Sequence, residues 1–431
     1  METTLSMETT LSMETKLNLI KSIGEEILGI DNLEHLIANK PNVTAYDGFE
    51  PSGRMHIAQG LLRAHNVNKF VKAGIKFKFW VADWFALMNL KLGGDIKKIQ
   101  AAGHNMIKVW EACGMDLTAI DSEGKPMIEF IWSSEEINRR SDEYWRLVLD
   151  IGTKFGLNRI KKCTQIMGRK EDDNMVEAFN KLTENYQNIQ IQNDQLFNDL
   201  KTELKYIATI HNSNTSAIPN MIDNAISKYE TDKIANNFEA NLKQFQDLFS
   251  ESKTELAASQ IFYPIMQCAD IFFLGIDICS LGMDQRKVNM LAIEYCDKIK
   301  KKNKPIIISH HMLMGLDGSD KMSKSNPDNT IFMDDIESDI KRKIKQAFCE
   351  PNNIEKNPLL DWAKYIIFPI NKKIVIPANL KWNEPEMIFY CFEELEHNFK
   401  EGLIQPKGLK DAMINHINEL LKPVQDKLNK K

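Results

Sequence analysis

Val43-Thr44-Ala45-Tyr46-Asp47-Gly48-Phe49-Glu50-Pro51-Ser52-Gly53-Arg54-Met55-His56-Ile57-Ala58-Gln59 is the stretch whose reading decides the fold. Val43–Tyr46 has the character of a strand. It runs into a loop with two glycines and a proline, and a helix is expected from about His56 to Lys72. A helix N-terminus presents free N–H groups and partial positive charge, which suits phosphate. Gly53 removes a side chain where a nucleotide would have to come close. His56 on its own reads more readily as a capping or core histidine.

The blocks around it repeat the alternation. Phe77–Ala82, Met127–Trp132 and Pro305–Ile308 read as strands, and Asp95–Cys113 and Asp284–Lys302 as helices. Ser133-x-x-Glu136 is expected to act as a capping box opening the helix around Tyr144. A further helix is expected from near Lys16 to about Glu26. Strands alternating with helices predict an α/β fold with a parallel sheet, whose ligands lie beyond the carboxyl ends of the strands. Ile261–Met283 is the most apolar long stretch, yet it contains Gln267, Asp270 and Asp277. Charges at those places are expensive in lipid, so a buried helix and strand is expected there instead of a membrane span.

At 431 residues the chain has the length of two or three domains. Apolar residues are 43% and charged residues 27%, ordinary for a globular protein. The net charge of −5 excludes a polycation that coats nucleic acid, but not a protein docking one RNA through a local basic face. Seven cysteines, widely spaced and with no Cys-x-x-Cys, predict reduced thiols and a cytoplasmic setting, with neither a zinc site nor a disulfide framework. The polar, acidic first residues predict neither a secretory signal nor a transit peptide.

Met-Glu-Thr-Thr-Leu-Ser occurs twice and Met13-Glu14-Thr15 begins a third copy, so residues 1–15 are expected to be a disordered leader. Residues 172–254 carry apolar side chains at steps of three and four, broken at Asn212–Pro219. That pattern predicts a helical hairpin. Its 7 lysines against 13 acids leave a net of −6, which disfavours an RNA-gripping arm and favours packing or subunit contact. From Asp335 onward helices are expected at Ile336–Phe348, Met387–Phe399 and Leu409–Leu428, with an interruption at Gly402–Gly408.

A second chemical motif is Lys321-Met322-Ser323-Lys324-Ser325, preceded by Gly315-Leu316-Asp317-Gly318-Ser319-Asp320. Lysine is a point-charge partner for phosphate. Taken alone, this would be a solvated loop. Further along, Tyr263-x-x-x-Gln267-x-x-Asp270 has spacings of four and three, which place three polar side chains on one helix face.

Taken together, a His-Ile pair near the start of an α/β domain and Lys-Met-Ser-Lys-Ser at its end resemble the paired motifs of class I aminoacyl-tRNA synthetases. Tyr46–Gly53, Tyr263–Asp270 and Leu281-Gly282-Met283-Asp284-Gln285-Arg286-Lys287 resemble the tyrosyl-tRNA synthetases of the eukaryotic and archaeal type. The resemblance implies a Rossmann-like catalytic domain at 16–333, with the hairpin 172–254 inserted in its connecting region. A mostly helical anticodon-binding domain would follow at 334–431. It implies tyrosine activation by ATP and transfer to the 3′ end of tRNA(Tyr), in a homodimer with no membrane part. For L-tyrosine it implies Tyr46 and Asp270 at the phenol hydroxyl, and Tyr263, Gln267, Gln285 and Glu50 about the α-amino group. For ATP it implies Gly48, Gly53, His56, Met322, Ser323 and Lys324. Catalytic roles fall to His56, Gln59, Lys321 and Lys324. Mg²⁺ is expected on ATP phosphate oxygens, with no protein metal site.

Three departures stand out. Ala58-Gln59 replaces the usual Gly-His, so a charge at that position is lost. Gly408 stands where the family has an aspartate that reads an anticodon base. The acidic hairpin interrupts the region that forms the homodimer interface. Other readings are a tryptophanyl-tRNA synthetase, a synthetase-like RNA-binding protein without catalysis, and a small-molecule nucleotidyltransferase. The paired Tyr46 and Asp270 favour a phenol over an indole, and the intact lysine loop favours catalysis. The helix-forming residues after the loop favour a tRNA ligand.

Overall fold

The computed structural model describes residues 11–164, Thr202, 257–322, 326–378 and 385–429. Residues 1–10 of the leader, the hairpin 172–254 apart from Thr202, and Ser323, Lys324 and Ser325 lie outside the described residues. Residues 1–166 and 258–431 form one compact unit and 167–257 a second.

The first unit is built on a six-stranded sheet: β1 Glu26–Leu28, β2 Thr44–Phe49, β3 Lys76–Val81, β4 Ile128–Trp132, β5 Ile278–Gly282 and β6 Ile306–His310. Their order is β1-β6-β5-β2-β3-β4. β1 is antiparallel to β6, and the other pairings are parallel. Neighbouring β2 and β5 are reached from opposite directions along the chain. Their carboxyl ends therefore flank the crevice in which an open parallel sheet binds ligands. The expected α/β class is observed, and the strands read from sequence lie within two residues at their first ends. β2 runs on to Phe49 because Asp47-Gly48-Phe49 pairs in register with Phe79-Trp80-Val81. The three-residue β1 carries no sequence signal of its own, and β6 recruits it.

Helices cover both faces. Asp95 caps Ile96–Ala112 by accepting from the Lys97 and Lys98 amides. The helix expected to start near Lys16 begins at Met13, because the Ser12 hydroxyl accepts from the Thr15 amide. The apolar stretch after residue 260 is a buried helix, Ala258–Phe273, followed by β5, as expected.

Two local expectations are corrected. Ser133 makes no capping box: its hydroxyl donates to buried Asp83 at 2.7 Å, and Glu136 pairs with Arg139 and Arg140. The segment is two helices, Ser133–Arg139 and Ser141–Lys154. Met387–Phe399 is not one helix either. Met387–Phe389 is a strand, β8, antiparallel to β7 (Ile374–Ile376), and the helix is Phe392–Lys400. Gly402, at φ +76°, ends that helix, whereas Gly408 lies inside the long helix Pro406–Asn429.

One contiguous buried cluster joins Phe77, Phe79 and Trp110 beneath the sheet to Ile331, Met333, Trp362, Leu409 and Val424. The C-terminal helices are thus packed onto the sheet domain through shared core. No helix among the described residues is long and apolar enough to cross a membrane.

Candidate active site

The helix Ala258–Phe273 forms one wall of the crevice. Tyr263, Gln267 and Asp270 lie along its buried face, as their spacing predicts. Three to four residues per turn at 1.5 Å rise set the first and last about 10 Å apart, room for one aromatic amino acid lying along the helix.

At the far end, Asp270 is 1% exposed. It accepts from the Tyr144 hydroxyl at 2.8 Å. Burial pushes its carboxyl well above the usual range, and the Tyr144 hydrogen bond draws it partway back. Tyr46, 1% exposed on β2, has its own ionisation pushed up chiefly by burial. Trp80 and Phe273 meet with edge-on rings.

At the near end, Tyr263 donates to Glu50 at 2.7 Å. Glu50 also accepts from Asn89 at 3.1 Å and lies 3.6 Å from the Lys91 ammonium. Between the ends, the Gln267 amide donates to Gln285 at 3.1 Å, so β5's trailing turn meets the helix here. Hydrogen bonds thus link Tyr263 to Glu50 and Gln267 to Gln285, while Asp270 lies on the same buried helix face.

The first motif pairs with the segment that follows the second, Ile331–Met333. Ile57 donates its amide to the Ile331 carbonyl at 2.9 Å, and Met333 donates to the Met55 carbonyl at 2.8 Å. His56 and Phe332 form the intervening antiparallel bridge. Arg54 clamps Asp334 and Asp335. The first turns after His56 are a π-helical stretch, Ala58–Leu62, a form frequent at functional sites. Gly60 permits this approach: a Cβ there would stand 2.3 Å from the Met333 sulfur. Gly53 holds φ at +77°, which favours glycine. Gly48, at the end of β2, faces Tyr46 and Trp80. The Gln59 carbonyl accepts from the Trp110 indole at 2.6 Å. Its side-chain oxygen is buried with no hydrogen-bond partner among the described residues. Lys321 is exposed at the end of the second loop, and Met322 is buried in the core. Ser323 and Lys324 lie outside the described residues.

Several neighbours carried no sequence signal. Tyr144 reads simply as a residue on an amphipathic helix. Asn89 and Lys91 lie in a turn with no motif. Asp47, 1% exposed, pairs with Arg63 at 2.8 Å. Burial holds the Asp47 carboxyl up at about 6, with Arg63 opposing and Asp284 adding to the rise. Next to this pair, His310 shares a hydrogen bond with the Ser280 hydroxyl at 2.7 Å, and burial keeps its ring neutral down to about pH 3. Such pairs unite residues far apart in the chain and have no local pattern. Among the described residues, no three His, Cys, Asp or Glu side chains gather as a metal site.

The mostly parallel sheet, with a polar helix face along its crevice, is an α/β enzyme domain of the class I synthetase kind. The model of class I tRNA synthetases for tryptophan and tyrosine matches residues 38–193 and 168–422, and the chain belongs to that family. The chain is 41% identical over 409 residues to a cytoplasmic tyrosine–tRNA ligase of Arabidopsis thaliana, covering 95% of this chain and 83% of that one. The Leishmania major tyrosyl-tRNA synthetase, solved with tyrosinol, superposes with a TM-score of 0.72 at 37% identity. That match covers 98% of this chain but 50% of the Leishmania chain, so the present chain spans half its length. The Archaeoglobus fulgidus tyrosyl-tRNA synthetase, solved with L-tyrosine, superposes at 0.69 with 26% identity and covers 97% of this chain and 100% of that one.

Proposed function

We infer that this chain is a tyrosine–tRNA ligase: it activates L-tyrosine with ATP and passes it to the 3′ end of tRNA(Tyr). The observation that carries the reading is the single helix face Tyr263–Gln267–Asp270. It has a buried acid and two phenols at one end and a hydrogen-bonded glutamate at the other.

The tyrosine hydroxyl meets Asp270 and Tyr46, while Tyr144 holds the Asp270 carboxyl in place. The ammonium sits among Glu50, Tyr263, Gln267 and Gln285. A phenylalanine side chain would leave Asp270 without its ligand partner, the costly outcome for a buried polar group. An indole N–H would have to reach the same acid from a wider, differently shaped ring.

The tyrosine carboxylate then attacks the α-phosphorus of ATP, forming the adenylate and releasing pyrophosphate. No protein nucleophile is needed, and catalysis is positioning and charge stabilisation. Gly48 and Gly53 let the nucleotide approach, and His56 and Gln59 hold it at the helix start. Lys321 and Lys324, with the Met322-Ser323 backbone between them, serve the phosphates. Mg²⁺ belongs on the ATP phosphate oxygens. A ribose hydroxyl at the tRNA 3′ end next attacks the activated carbonyl, and AMP leaves.

Residues 334–431 serve as the anticodon-binding part and 16–333 as the catalytic part. The chain works in the cytoplasm as a homodimer. Exposed Trp145 and Phe262, with Trp84, Leu87 and Met266, line an apolar cavity of about 320 Å³ next to the amino-acid chamber, a patch suited to a second copy. Trp145→Glu should give a monomer by light scattering; an unchanged dimer removes this seam.

Amino-acid-dependent pyrophosphate exchange tests the activity. Tyrosine should support exchange and tryptophan should not, and transcribed tRNA(Tyr) should then be charged. Absence of tyrosine-dependent exchange would overturn the reading and favour an RNA-binding relative without catalysis.

A further inference from the structure

The stretch between β6 and Lys321 is tied to the helix Pro358–Trp362 through the backbone of Met314. Asp361 Oδ2 accepts from the Met314 amide at 3.0 Å, and the Trp362 indole donates to the Met314 carbonyl at 2.9 Å. Both groups of Met314 are therefore held by adjacent residues of the helix Pro358–Trp362. The hold is passed on: the Met322 amide donates to the Leu313 carbonyl at 3.1 Å, fixing the far side of the Gly315–Asp320 turn. Lys321 precedes Met322 by one residue.

The other Asp361 oxygen is 2.7 Å from His311 Nε2, while His311 Nδ1 is 3.2 Å from Glu25 Oε2. The imidazole lies flat on Tyr365, with centroids 3.8 Å apart and planes 12° apart. His311 thus sits where the N-terminal segment, the end of β6 and the C-terminal helices meet. Asp361 is buried, so an acid there requires partners, and it has two.

We propose that Asp361, ion-paired to His311, is a positioning residue for the nucleotide step: it sets the frame from Met314 to Met322 that carries Lys321, and so makes ATP use depend on the packing of the C-terminal helices. This rests on the reading of the chain as an ATP-using ligase. Asp361 touches no substrate and acts through the loop. Tyrosine contacts lie on β2 and the helix Ala258–Phe273, outside that frame, so the two substrates should respond differently.

The imidazole faces two carboxylates, Glu25 and Asp361. Lys364 reaches the opposite stacking partner, Tyr365, at 5.5 Å. Burial, the largest single influence, pulls the His311 pKa down, but hydrogen bonds and charge from Asp361 and then Glu25 together outweigh it and raise the value above the ordinary one. The ion pair is complete below that raised value and is lost as pH climbs through it.

The experiment compares wild type, Asp361→Asn and His311→Lys in steady-state pyrophosphate exchange across pH 6 to 9, and tracks amide hydrogen exchange at Met314 and Met322. Asp361→Asn is nearly isosteric. It should raise the KM for ATP, or lower the exchange rate, about tenfold while the KM for tyrosine stays within about twofold. In wild type the ATP KM should rise with pH; in Asp361→Asn, which has no ion pair to lose, it should stay high and nearly flat, and in His311→Lys the rise should vanish. Protection of the Met314 and Met322 amides should fall in Asp361→Asn whether or not ATP turns over. Unchanged protection at both amides overturns the proposal, as does a parallel change in both KM values. A wild-type chain with no tyrosine-dependent exchange but with the expected loss of protection would instead sink the ligase reading and leave the frame standing.

Discussion

The Tyr144 hydroxyl donates to Asp270 Oδ1 across 2.8 Å inside an apolar chamber. The helix Ser141–Lys154 thereby supports the acid at the far end of the helix face, and Asp270 is oriented before any amino acid arrives. Tyr144→Phe should keep the fold and loosen that orientation. Its kcat/KM for tyrosine should fall several-fold to about tenfold, the range for losing one buried hydrogen bond to a charged or polar partner. Asp270→Ala should cost more and should abolish the preference for tyrosine over phenylalanine. Exchange kinetics with both amino acids check this; a preserved preference in Asp270→Ala would refute the assignment of the phenol end.

Glu50 is held by Tyr263, Asn89 and Lys91 around one carboxylate. Glu50→Gln retains shape and removes the charge that should meet the ammonium. We expect the KM for tyrosine to rise about ten- to a hundredfold, with the KM for ATP little altered. Equal effects on both substrates would argue that Glu50 is a scaffold for the Asn89 turn and makes no ligand contact.

Asp47 supplies a pH test with a definite sign. Its folded pKa of about 6 stands above the ordinary 3.8, chiefly through burial. The unfolded chain therefore releases this proton first, and the group costs stability progressively as pH rises from about 4 through 6. The full cost above pH 6 is about 3 kcal/mol at 1.36 kcal/mol per unit. Asp47→Asn should carry a constant offset from leaving Arg63 without its partner. Relative to wild type, however, it should gain stability between pH 4.5 and 7. Urea unfolding at those two pH values measures the difference, and a pH-independent gap would contradict the shift.

Lys343 and Asp335 form a buried ion pair at 2.6 Å, and Lys343 also donates to the Thr330 carbonyl at 2.9 Å. Asp335 further receives Arg54 from the first motif, and its backbone carbonyl accepts from Gln425 of the last helix. Lys343→Met should destabilise by about 3 kcal/mol or more, because it strips one partner from a buried acid. Adding Asp335→Asn should recover part of that loss. A double-mutant cycle by denaturant unfolding gives the coupling, and simple additivity would mean the pair is not energetically joined.

Replacing Gly408 addresses the departure from the family pattern at the anticodon side. Gly408 lies within Pro406–Asn429, where a Cβ would stand 3.2 Å from the Ile376 methyl of β7. Gly408→Asp therefore presses on the β7–β8 hairpin and should lower the melting temperature by a few degrees. If aspartate there also improves charging of tRNA(Tyr), the position reads RNA; a melting loss alone leaves it a packing site.

Some of this was written in the local chain. The class of fold came from alternating strand and helix patterns, because a period of two or of 3.6 is a property of neighbouring residues. The wall Tyr263–Gln267–Asp270 came from spacing alone, since a helix carries residues three and four apart to the same side. The motifs around His56 and Lys321 pointed to phosphate only as a pair, through their resemblance to the paired motifs of a family.

Tertiary structure alone decided the partnerships between distant segments. Tyr144 reaches Asp270 from 126 positions away, and Arg54 reaches Asp335 from 281. Ser133 turned to Asp83 and away from its own helix, since a buried carboxylate demands donors, and Asp83 in turn accepts from the Ser134 amide at the helix N-terminus. Met387–Phe389 became a strand once Ile374–Ile376 offered it an edge. Periodicity is local and can be read along a chain; burial, which sets each carboxyl's pKa and chooses each donor's acceptor, exists only after the chain has closed on itself.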